Sequence, residues 1–344
     1  MRALLADPRV RRLVSVTIGL ALVAAIVVQR RTVAEAVGHL GNLSVGVVGG
    51  LIVLAVADRV LRAELIRSLL PELSLLRGEM ISDIGAAASK GLPAGGPLGT
   101  VLRWQIAKEG GVDAVGFVTM LVAAGVATAF VGWTLPLVAT VVDTVGRSTD
   151  ALDVAIIAVS AVVLMASLAF WAVVLTSGRA EGWLATRSDW IIGRLARVAP
   201  SLSEADPHAV VTRLLAGLRR IAARPVPLLV RTAAIHLNGA VILWLALQGL
   251  GVGPDLGASE FARVFFVTHL VGSFAPTPGG VGLIEVGLSA ALIAAGVDDG
   301  VAVAAVVIYR LITFVAPIVV GALLYVPWQR RRRGARRPAP AATP

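Results

Sequence analysis

The sequence predicts an all-α polytopic membrane protein with about six transmembrane helices and two re-entrant hairpins broken by proline and glycine. Three observations predict this class. Hydrophobic residues make up 57% of the 344 residues and charged residues only 15%, and the mean hydropathy of +0.86 is far above that of a soluble domain. Several apolar runs approach the roughly 20 residues that a helix needs to cross a bilayer. Two other apolar stretches are interrupted by Pro/Gly clusters.

Six runs are apolar for long enough, or nearly long enough, to cross the hydrocarbon core. The first is short, and Arg30 and Arg31 follow it without a small-residue cleavage site, so we interpret it as a retained anchor rather than a signal peptide. The last is interrupted by Arg310. The six runs are 13–28, 40–57, 114 to about 136, 154–178, 232–253 and 300–328.

The two interrupted stretches have legs too short to cross a bilayer. In the second, the cluster lies in "SFAPTPGGVGLIEVG" at 273–287, between legs 261–275 and 281–295. Each leg has 15 residues, which make roughly 22 Å of helix. The first stretch, 80–111, has the same plan around "GLPAGGPLG" but is more polar. We therefore expect two re-entrant hairpins with tips inside the membrane, where protein or water must satisfy the freed backbone groups.

An offset of 185 residues aligns the two stretches. It pairs identical residues at several positions: Pro93 with Pro278, Gly95 with Gly280, and Gly-Val-Asp at 111–113 with Gly-Val-Asp at 296–298. This pattern predicts an internal repeat, although two hairpins that are simply both rich in proline and glycine would share part of it. Two repeats of opposite orientation, each with a broken hairpin, are typical of alternating-access carriers, whose substrate sites lie where the broken helices meet.

Arginine placement predicts the orientation, because positively charged residues concentrate in cytoplasmic segments. If the two hairpins open to opposite sides and the N-terminus is cytoplasmic, the arginines on the outer side of the membrane are only Arg30, Arg31, Arg147 and Arg263. The C-terminus is then cytoplasmic as well. The cytoplasmic groups of arginines lie in 2–12, 59–77, 179–224 and 330–337.

We expect a single transmembrane domain at 1–328, followed by a polybasic, Pro/Ala-rich disordered tail at 329–344. The first half of the domain spans about 13–143 and the second about 151–328, with an amphipathic cytoplasmic connector at 179–225.

The connector contains a predicted amphipathic helix that Asp206 caps, with Pro207 in its first turn. We interpret it as an interfacial connector that lies on the membrane surface. A site for a partner or for anionic lipids is the alternative.

The Pro/Gly cluster of the second hairpin is the strongest candidate for a functional site. A broken helix exposes unpaired N–H groups and the positive end of a helix dipole, which suits an anionic group such as a lipid phosphate. Glu285 follows the break, and a central acid costs about 2.5–3.5 kcal/mol in the membrane, so it needs a partner. Arg310 is the nearest arginine in sequence, with Arg103 and Arg231 as rivals.

The pair of Glu285 and Arg310 either handles substrate or protons, or only locks the hairpin to the last span. His236, Asn238 and His269 are polar groups in apolar segments, and we expect them to hydrogen-bond neighbouring helices. The predicted substrate path comprises Pro93, Gly95, Arg103, Pro276, Pro278, Gly279, Gly280, Gly282, Glu285 and Arg310.

These motifs resemble those of a known family. "PTPGGVGLIEVGL", followed by a last span with "IYRLITFVAPIVVG", is similar to the C-terminal half of the transmembrane region of the lysylphosphatidylglycerol synthetase/flippase family. "LPAGGPLGTVLRW" resembles that family's more divergent first motif. The resemblance covers roughly 13–328 and implies a flippase-like inner-membrane protein. It places Pro278, Gly279, Gly280, Gly282, Glu285 and Arg310 on the family's recurrent positions, and Arg103 less securely.

Two departures from the family limit what the resemblance implies. Bifunctional members carry a large cytosolic synthase domain, whereas here only 16 residues follow Trp328, so synthesis of lysyl-lipid is not expected. In the first half, "GTVLR" replaces the usual acidic position before the arginine, which puts a symmetrical charge pair in doubt.

We therefore expect a flippase-like translocase for an anionic phospholipid or a lipid-linked headgroup. The alternative is a membrane enzyme or a scaffold in cell-envelope biogenesis, although the sequence contains no nucleophile–base motif. The chain has no cysteine and its four histidines lack ligand spacing, so we expect no metal and no cofactor. Membrane lipids are the expected partners, with a homo-oligomer or an envelope enzyme possible and nucleic acid excluded.

Overall fold

The computed structural model describes residues 43–91, 95–145, 147–177, 206–252, 256–274 and 278–335. Every regular element within these ranges is helical, which confirms the all-α class. A 3-10 turn, Pro278–Gly280, precedes α9, and a π-helical turn, Leu311–Val315, joins α10 to α11 in one continuous helix. The helices are α1 Val45–Leu69, α2 Leu75–Gly91, α3 Gly95–Glu109, α4 Ala114–Thr144, α5 Ala151–Thr176, α6 Pro207–Ala222, α7 Val226–Gly249, α8 Ala258–Gly272, α9 Leu283–Ala294, α10 Asp299–Arg310 and α11 Ala316–Ala335.

Four helical segments are long and apolar enough to cross a membrane, so the chain is a multi-pass membrane protein. They are Ala114–Thr144, Ala151–Thr176, Val226–Gly249 and Asp299–Arg332, and they correspond to four of the six predicted spans. The predicted span 13–28 lies outside the described residues. The count of six is therefore not confirmed.

The predicted span 40–57 needs a correction. It corresponds to α1, which does not end at residue 57 but continues to Leu69 through Asp58, Arg59 and Arg62. These charges remove α1 from the clearly apolar spans. They are tolerated because each of them is paired: Arg62 with Asp58, and Arg59 with Glu79 and Asp83 of α2.

The predicted end of the third span near residue 136 was also wrong. α4 contains Pro136 and continues to Thr144. A proline inside a membrane helix is tolerated where neighbouring helices or side chains satisfy the backbone group that it frees. Pro136 is buried, which fits such a packed position.

The two predicted hairpins each consist of two short helices that pack against each other, α2 with α3 and α8 with α9. The helices have 17, 15, 15 and 12 residues. At 1.5 Å per residue they measure about 18–26 Å, which is less than the roughly 30 Å hydrocarbon core. That their tips lie inside the membrane stays a prediction.

Helix packing links the two halves reciprocally. The first hairpin packs through α2 on α11, the second packs through α8 on α4, and α1 packs on α7 between them. The 185-residue offset places α1 over α7, α2 over α8, α3 over α9, and α4 over α10 and α11. This exchange of hairpins between halves is the arrangement that a twofold repeat would produce.

The Gly-Val-Asp tripeptides at 111–113 and 296–298 have the same local geometry. The glycines have φ angles of 90° and 89°, and the valines are both buried. The valine N–H groups donate to the carbonyls of Ala107 and Leu292, at 3.2 and 3.1 Å. Each aspartate then caps the following helix. Gly251 and Val252 end α7 with the same turn, so it is the shared aspartate cap and the matching helix order, rather than the turn alone, that agree with an internal repeat.

Helix α6 is amphipathic, as predicted, and Asp206 accepts a hydrogen bond from the backbone of His208 to cap it. Its apolar face is covered by protein, because Val210, Leu215 and Leu218 are buried. The helix packs on α4. The arginine-rich face points outward, and the position of the helix at the membrane surface stays a prediction.

The two ends of α4 carry separate charge clusters. At its start, Asp113 pairs with Arg213 of α6. At its other end, Arg147 and Arg263 share Asp143 and Asp153, with Arg147 Nη2 2.8 Å and Arg263 Nε 2.7 Å from the Asp143 carboxylate. The two arginines that we placed on the outer side thus lie together, at the end of α4 opposite α6. Which end faces the cytoplasm stays a prediction.

Candidate functional site

The turn of the second hairpin is built around glycines. Gly279, Gly280 and Gly282 have φ angles of 68°, 69° and 87°, a region that residues with side chains rarely adopt. A β-carbon on Gly279 would also clash with the ring of Phe314. The helix break therefore needs glycine for both its conformation and its close packing.

Glu285 uses both carboxylate oxygens at this turn. Oε2 accepts a hydrogen bond from the Gly282 N–H at 2.7 Å, which caps α9. Oε1 accepts from Nε of Arg310 at 2.6 Å. The prediction that Arg310, rather than Arg103 or Arg231, pairs with Glu285 is confirmed. The expectation of free N–H groups at the break needs a correction at Gly282, because this N–H is occupied by the protein's own carboxylate.

Arg310 ties the turn to the long C-terminal helix. Its Nη2 donates to the Gly279 carbonyl at 3.1 Å, and its guanidinium carbon lies 4.4 Å from the centroid of the Phe314 ring. Only 7% of the residue is exposed, so Glu285 rather than water balances its charge. Arg310 directly precedes the π-helical turn, a feature that is frequent at functional sites.

Arg103 of the first hairpin has a different environment. Its side chain lies against α2, where a β-carbon on Gly85 would overlap it. Within the described ranges it makes no hydrogen bond or ion pair with an acidic side chain. Gly95 is buried at the start of α3, and Pro93 lies outside the described residues. The symmetrical charge pair that the sequence left in doubt is therefore not found in the described part of this hairpin.

A cavity of about 380 Å³ lies between the two halves. Its walls come from α1, α2, α3, α4, α7, α8, α10 and the π-helical turn, so both hairpins contribute to it. Its size falls within the range of small-molecule sites. Its polar lining consists of Arg62, Ser82, Arg103, Thr128, Thr232, His236, His269, Tyr309 and Thr313.

Hydrogen bonds orient the two imidazoles of the cavity. Nδ1 of His269 donates to the Phe265 carbonyl at 2.9 Å, so in the neutral ring Nε2 accepts from the Tyr309 hydroxyl at 2.8 Å. Nδ1 of His236 donates to the Thr232 carbonyl at 2.8 Å. His269 bonds a neighbouring helix, as predicted, whereas His236 bonds its own. Asn238 also bonds a neighbour, the Leu54 carbonyl of α1, at 3.1 Å.

The predicted site residues fall into two adjacent groups. Of those that the structure describes, only Arg103 lines the cavity. Gly279, Glu285 and Arg310 form a clamp beside the cavity. The clamp adjoins the cavity because Tyr309, which lines it, directly precedes Arg310. Pro278 opens the 3-10 turn of this clamp. Pro276 lies outside the described residues.

Arg62 and Tyr309 line the cavity, although neither was predicted as a site residue. We assigned Arg62 to a cytoplasmic segment because the apolar run before it stops at residue 57. The spacing of Asp58 and Arg62 was the signal that could have corrected this, since an i, i+4 ion pair allows a helix to continue. Nothing in the local sequence marks Tyr309, whose role depends on contact with another helix.

Among the described residues, no group of three histidine, aspartate or glutamate side chains is placed to hold a metal ion. The chemistry that the site offers is instead cationic and hydrogen-bonding. Two guanidinium groups, two imidazoles and several hydroxyls surround the cavity. Such groups recognise phosphate and carboxylate oxygens.

Comparison with known proteins gives one match. No curated protein and no solved structure matches the chain significantly. The family model for the lysylphosphatidylglycerol synthase TM region matches residues 12–321, which include both hairpins, the clamp and every cavity-lining residue. The chain therefore belongs to the lysylphosphatidylglycerol synthase transmembrane-region family.

Proposed function

We propose that this protein is a flippase-like carrier that moves an anionic phospholipid or a lipid-linked headgroup across the bacterial cytoplasmic membrane. The observation that carries the proposal is Arg103, a guanidinium without an acidic partner among the described residues, in a cavity between two broken hairpins. A charged side chain at membrane depth costs about 2.5–3.5 kcal/mol on insertion scales. A phosphate that enters the cavity would offset that cost.

The architecture around the cavity supports transport rather than storage of a lipid. Both halves supply cavity walls, and each half's hairpin packs on the long helix of the other half. In alternating-access carriers, one half rocks against the other around a fixed central site. The clamp of Glu285 and Arg310 would make α9 and α10 move together, because it joins the hairpin turn to the long helix.

A carrier releases the lipid headgroup without chemical change. An enzyme that acts on a phospholipid or polyprenyl-phosphate headgroup is the second candidate, and the hydrogen bond between His269 and Tyr309 in the cavity is the observation that favours it. The two candidates differ in whether the lipid is chemically altered.

The test is lipid translocation in proteoliposomes. Purified protein is reconstituted into vesicles with headgroup-labelled fluorescent lipids. The translocation rate is the rate at which fluorescence from the inner leaflet becomes accessible to an impermeant quencher outside. We expect fluorescent phosphatidylglycerol to cross at least tenfold faster than in protein-free vesicles, and faster than fluorescent phosphatidylcholine. Mass spectrometry of the recovered lipid should show no change. Translocation at the protein-free rate for every lipid would contradict the carrier, and a new lipid product would favour the enzyme.

A further inference from the structure

We propose that His269 is a proton-binding site, which takes up a proton when an anionic headgroup enters the cavity. The inference rests on the proposed carrier function and deepens it, because it assigns a proton as the second ligand of the same cavity. It follows from the hydrogen bonds of His269, which leave one basic nitrogen of the ring facing Tyr309.

The backbone fixes which nitrogen of His269 can accept a proton. A carbonyl oxygen only accepts hydrogen bonds, so the contact of 2.9 Å with the Phe265 carbonyl holds the hydrogen of the neutral ring on Nδ1. The lone pair is then on Nε2, which lies 2.8 Å from the Tyr309 hydroxyl. The Phe265 ring also stacks on the imidazole, with centroids 4.0 Å apart, and fixes its orientation. Nε2 is therefore the position at which the ring binds a further proton.

Protonation of Nε2 reverses the hydrogen bond with Tyr309. In the neutral pair the phenol donates to the imidazole, whereas an imidazolium donates through Nε2 to the phenol oxygen. The hydroxyl hydrogen of Tyr309 must then turn to another acceptor. The proton comes from water and no covalent bond of the lipid is made or broken, so this step differs from an enzymatic reaction.

The cavity is the place where that acceptor can lie. His269 and Tyr309 both line it, as does Arg103. The Tyr309 oxygen lies beside Gly239, another lining residue, where a β-carbon would be 3.7 Å from it. Glycine at this position leaves space next to the hydroxyl. A phosphate that Arg103 holds in this cavity offers the acceptor that the reversed hydroxyl needs.

Positive charges near His269 link its proton to the anion. Arg310, which directly follows Tyr309, acts electrostatically on His269. Arg103 adds the guanidinium of the first hairpin to the cavity wall. Both oppose a further positive charge on the imidazole, and a bound phosphate offsets that opposition. By linkage, the anion strengthens proton binding and the proton strengthens anion binding by the same factor.

The other titratable groups on the neighbouring helices leave the sign of this coupling unchanged. His236 of α7 is neutral or positive, so it does not favour an imidazolium either. Glu285 of α9 and Asp58 of α1 each hold an arginine, and the cavity wall that α4 provides is apolar apart from one threonine. Within the described ranges, no carboxylate bonds His269. The charged residues at the far ends of α8 and α10 are Glu260, Arg263 and Asp299.

Equilibrium binding of short-chain phosphatidylglycerol to the detergent-purified full-length protein tests the coupling. Its phosphodiester keeps one negative charge between pH 6 and pH 8, so a pH dependence in this range comes from the protein. Calorimetry in two buffers of different ionisation enthalpy counts the protons taken up per bound lipid. We expect an uptake of about 0.5–1 proton between these pH values, and an affinity that falls about tenfold from pH 6 to pH 8 because less proton is available to bind with the anion.

His269→Gln removes the titratable nitrogen and keeps a side chain that can bond Tyr309. This variant should bind phosphatidylglycerol about as tightly as the wild type at pH 8, which shows that it is folded, and should neither take up a proton nor bind more tightly at pH 6. A purely structural hydrogen bond would instead lower the affinity by the same factor at both pH values. The control His208→Gln, which changes an exposed histidine of α6, should keep the uptake of the wild type.

Three results would overturn the inference. These are wild-type affinities within twofold at pH 6 and pH 8, unchanged proton uptake in His269→Gln, or uptake that is lost in His236→Gln and kept in His269→Gln. The first needs no variant, so it decides the matter even if His269→Gln does not fold. Binding of phosphatidylglycerol without proton uptake leaves the carrier proposal intact, whereas proton-coupled binding without translocation in proteoliposomes contradicts only the carrier.

Discussion

Gly279 combines two requirements that only glycine meets. Its φ of 68° lies in the left-handed region, and its α-carbon faces the Phe314 ring without room for a β-carbon. The same residue gives its carbonyl to Arg310. The backbone of this turn, and not only its side chains, therefore holds the clamp together.

We predict that Gly279→Ala lowers the free energy of unfolding by about 1–3 kcal/mol, because it adds backbone strain and a clash with Phe314. The measurement is the apparent melting temperature in detergent. Gly125→Ala is the matched control, because a β-carbon there meets nothing within 4 Å and alanine favours a helix interior. Equal melting temperatures for the two variants would contradict the packing described for the turn.

Glu285 balances a charge that would otherwise add to the basic cavity. Without its carboxylate, Arg310 would join Arg103 as a second guanidinium with no acidic partner among the described residues. We predict that Glu285→Gln tightens the binding of anionic lipid and slows translocation at least tenfold, because the headgroup leaves the site more slowly. Folded protein should remain at near normal amounts, since Arg310 keeps its contacts with Gly279 and Phe314.

Glu109 provides a control with similar bonds. One of its oxygens binds Arg332 at 2.6 Å and the other accepts from Trp328 Nε1 at 2.8 Å, at the helix ends and outside the cavity lining. Glu109→Gln should cost comparable stability and leave translocation unchanged. If both variants transport at the same rate, or if Glu285→Gln transports like the wild type, the ion pair of Glu285 with Arg310 is only a structural lock.

The sequence was informative at this scale where a charge had a partner nearby along the chain. The pairing of Glu285 with Arg310 could be predicted because a buried acid needs a cation and the last span offers one. The packing of Arg103 against Gly85 could not, because it depends on how α2 and α3 meet in space. The contact between His269 and Tyr309 was missed for the same reason.

At the scale of helices, the reciprocal placement of the hairpins is the main observation. Ala87 of the first hairpin packs in one apolar cluster with Phe314 and Ile318, which belong to the last helix of the chain. The second hairpin packs on α4 in the same manner. Each hairpin is therefore held by the half to which it does not belong.

We predict that Ala87→Cys combined with Ile318→Cys gives an intramolecular disulfide on mild oxidation in the membrane. The chain has no cysteine of its own, so the background is nil. Ala87→Cys combined with Val162→Cys is the control, because Val162 lies exposed on the peripheral helix α5. A gel-shift assay reads the crosslink, and similar yields from the two pairs would contradict the exchange of hairpins.

The apolar runs predicted where helices occur, but they often did not predict the residues at which the helices end. α1 and α4 both continue past the residues where the pattern stops, at Asp58 and Pro136, because contacts with other helices compensate the charge and the proline. The position of α6 on α4 was also beyond prediction. An amphipathic face shows that a helix is covered on one side, but not whether lipid or protein covers it.

At the scale of the whole molecule, the charge clusters at the two ends of α4 fix which segments share a side. We predict that the end with α6 is cytoplasmic. Ser148→Cys, at the opposite end, should react with an impermeant thiol reagent added to intact cells, whereas Ala216→Cys on α6 should react only after lysis. Both positions are exposed. Labelling of Ala216→Cys in intact cells would invert the topology.

The central claim is that an anionic headgroup passes between the two halves by way of Arg103. The most direct measurement is the translocation rate of fluorescent phosphatidylglycerol by Arg103→Gln, reconstituted at the same protein density as the wild type and as Arg220→Gln, in which an exposed arginine of α6 is changed. The account predicts at least a tenfold loss for Arg103→Gln with an unchanged melting temperature, and wild-type rates for Arg220→Gln. Wild-type translocation by a folded Arg103→Gln protein would contradict it.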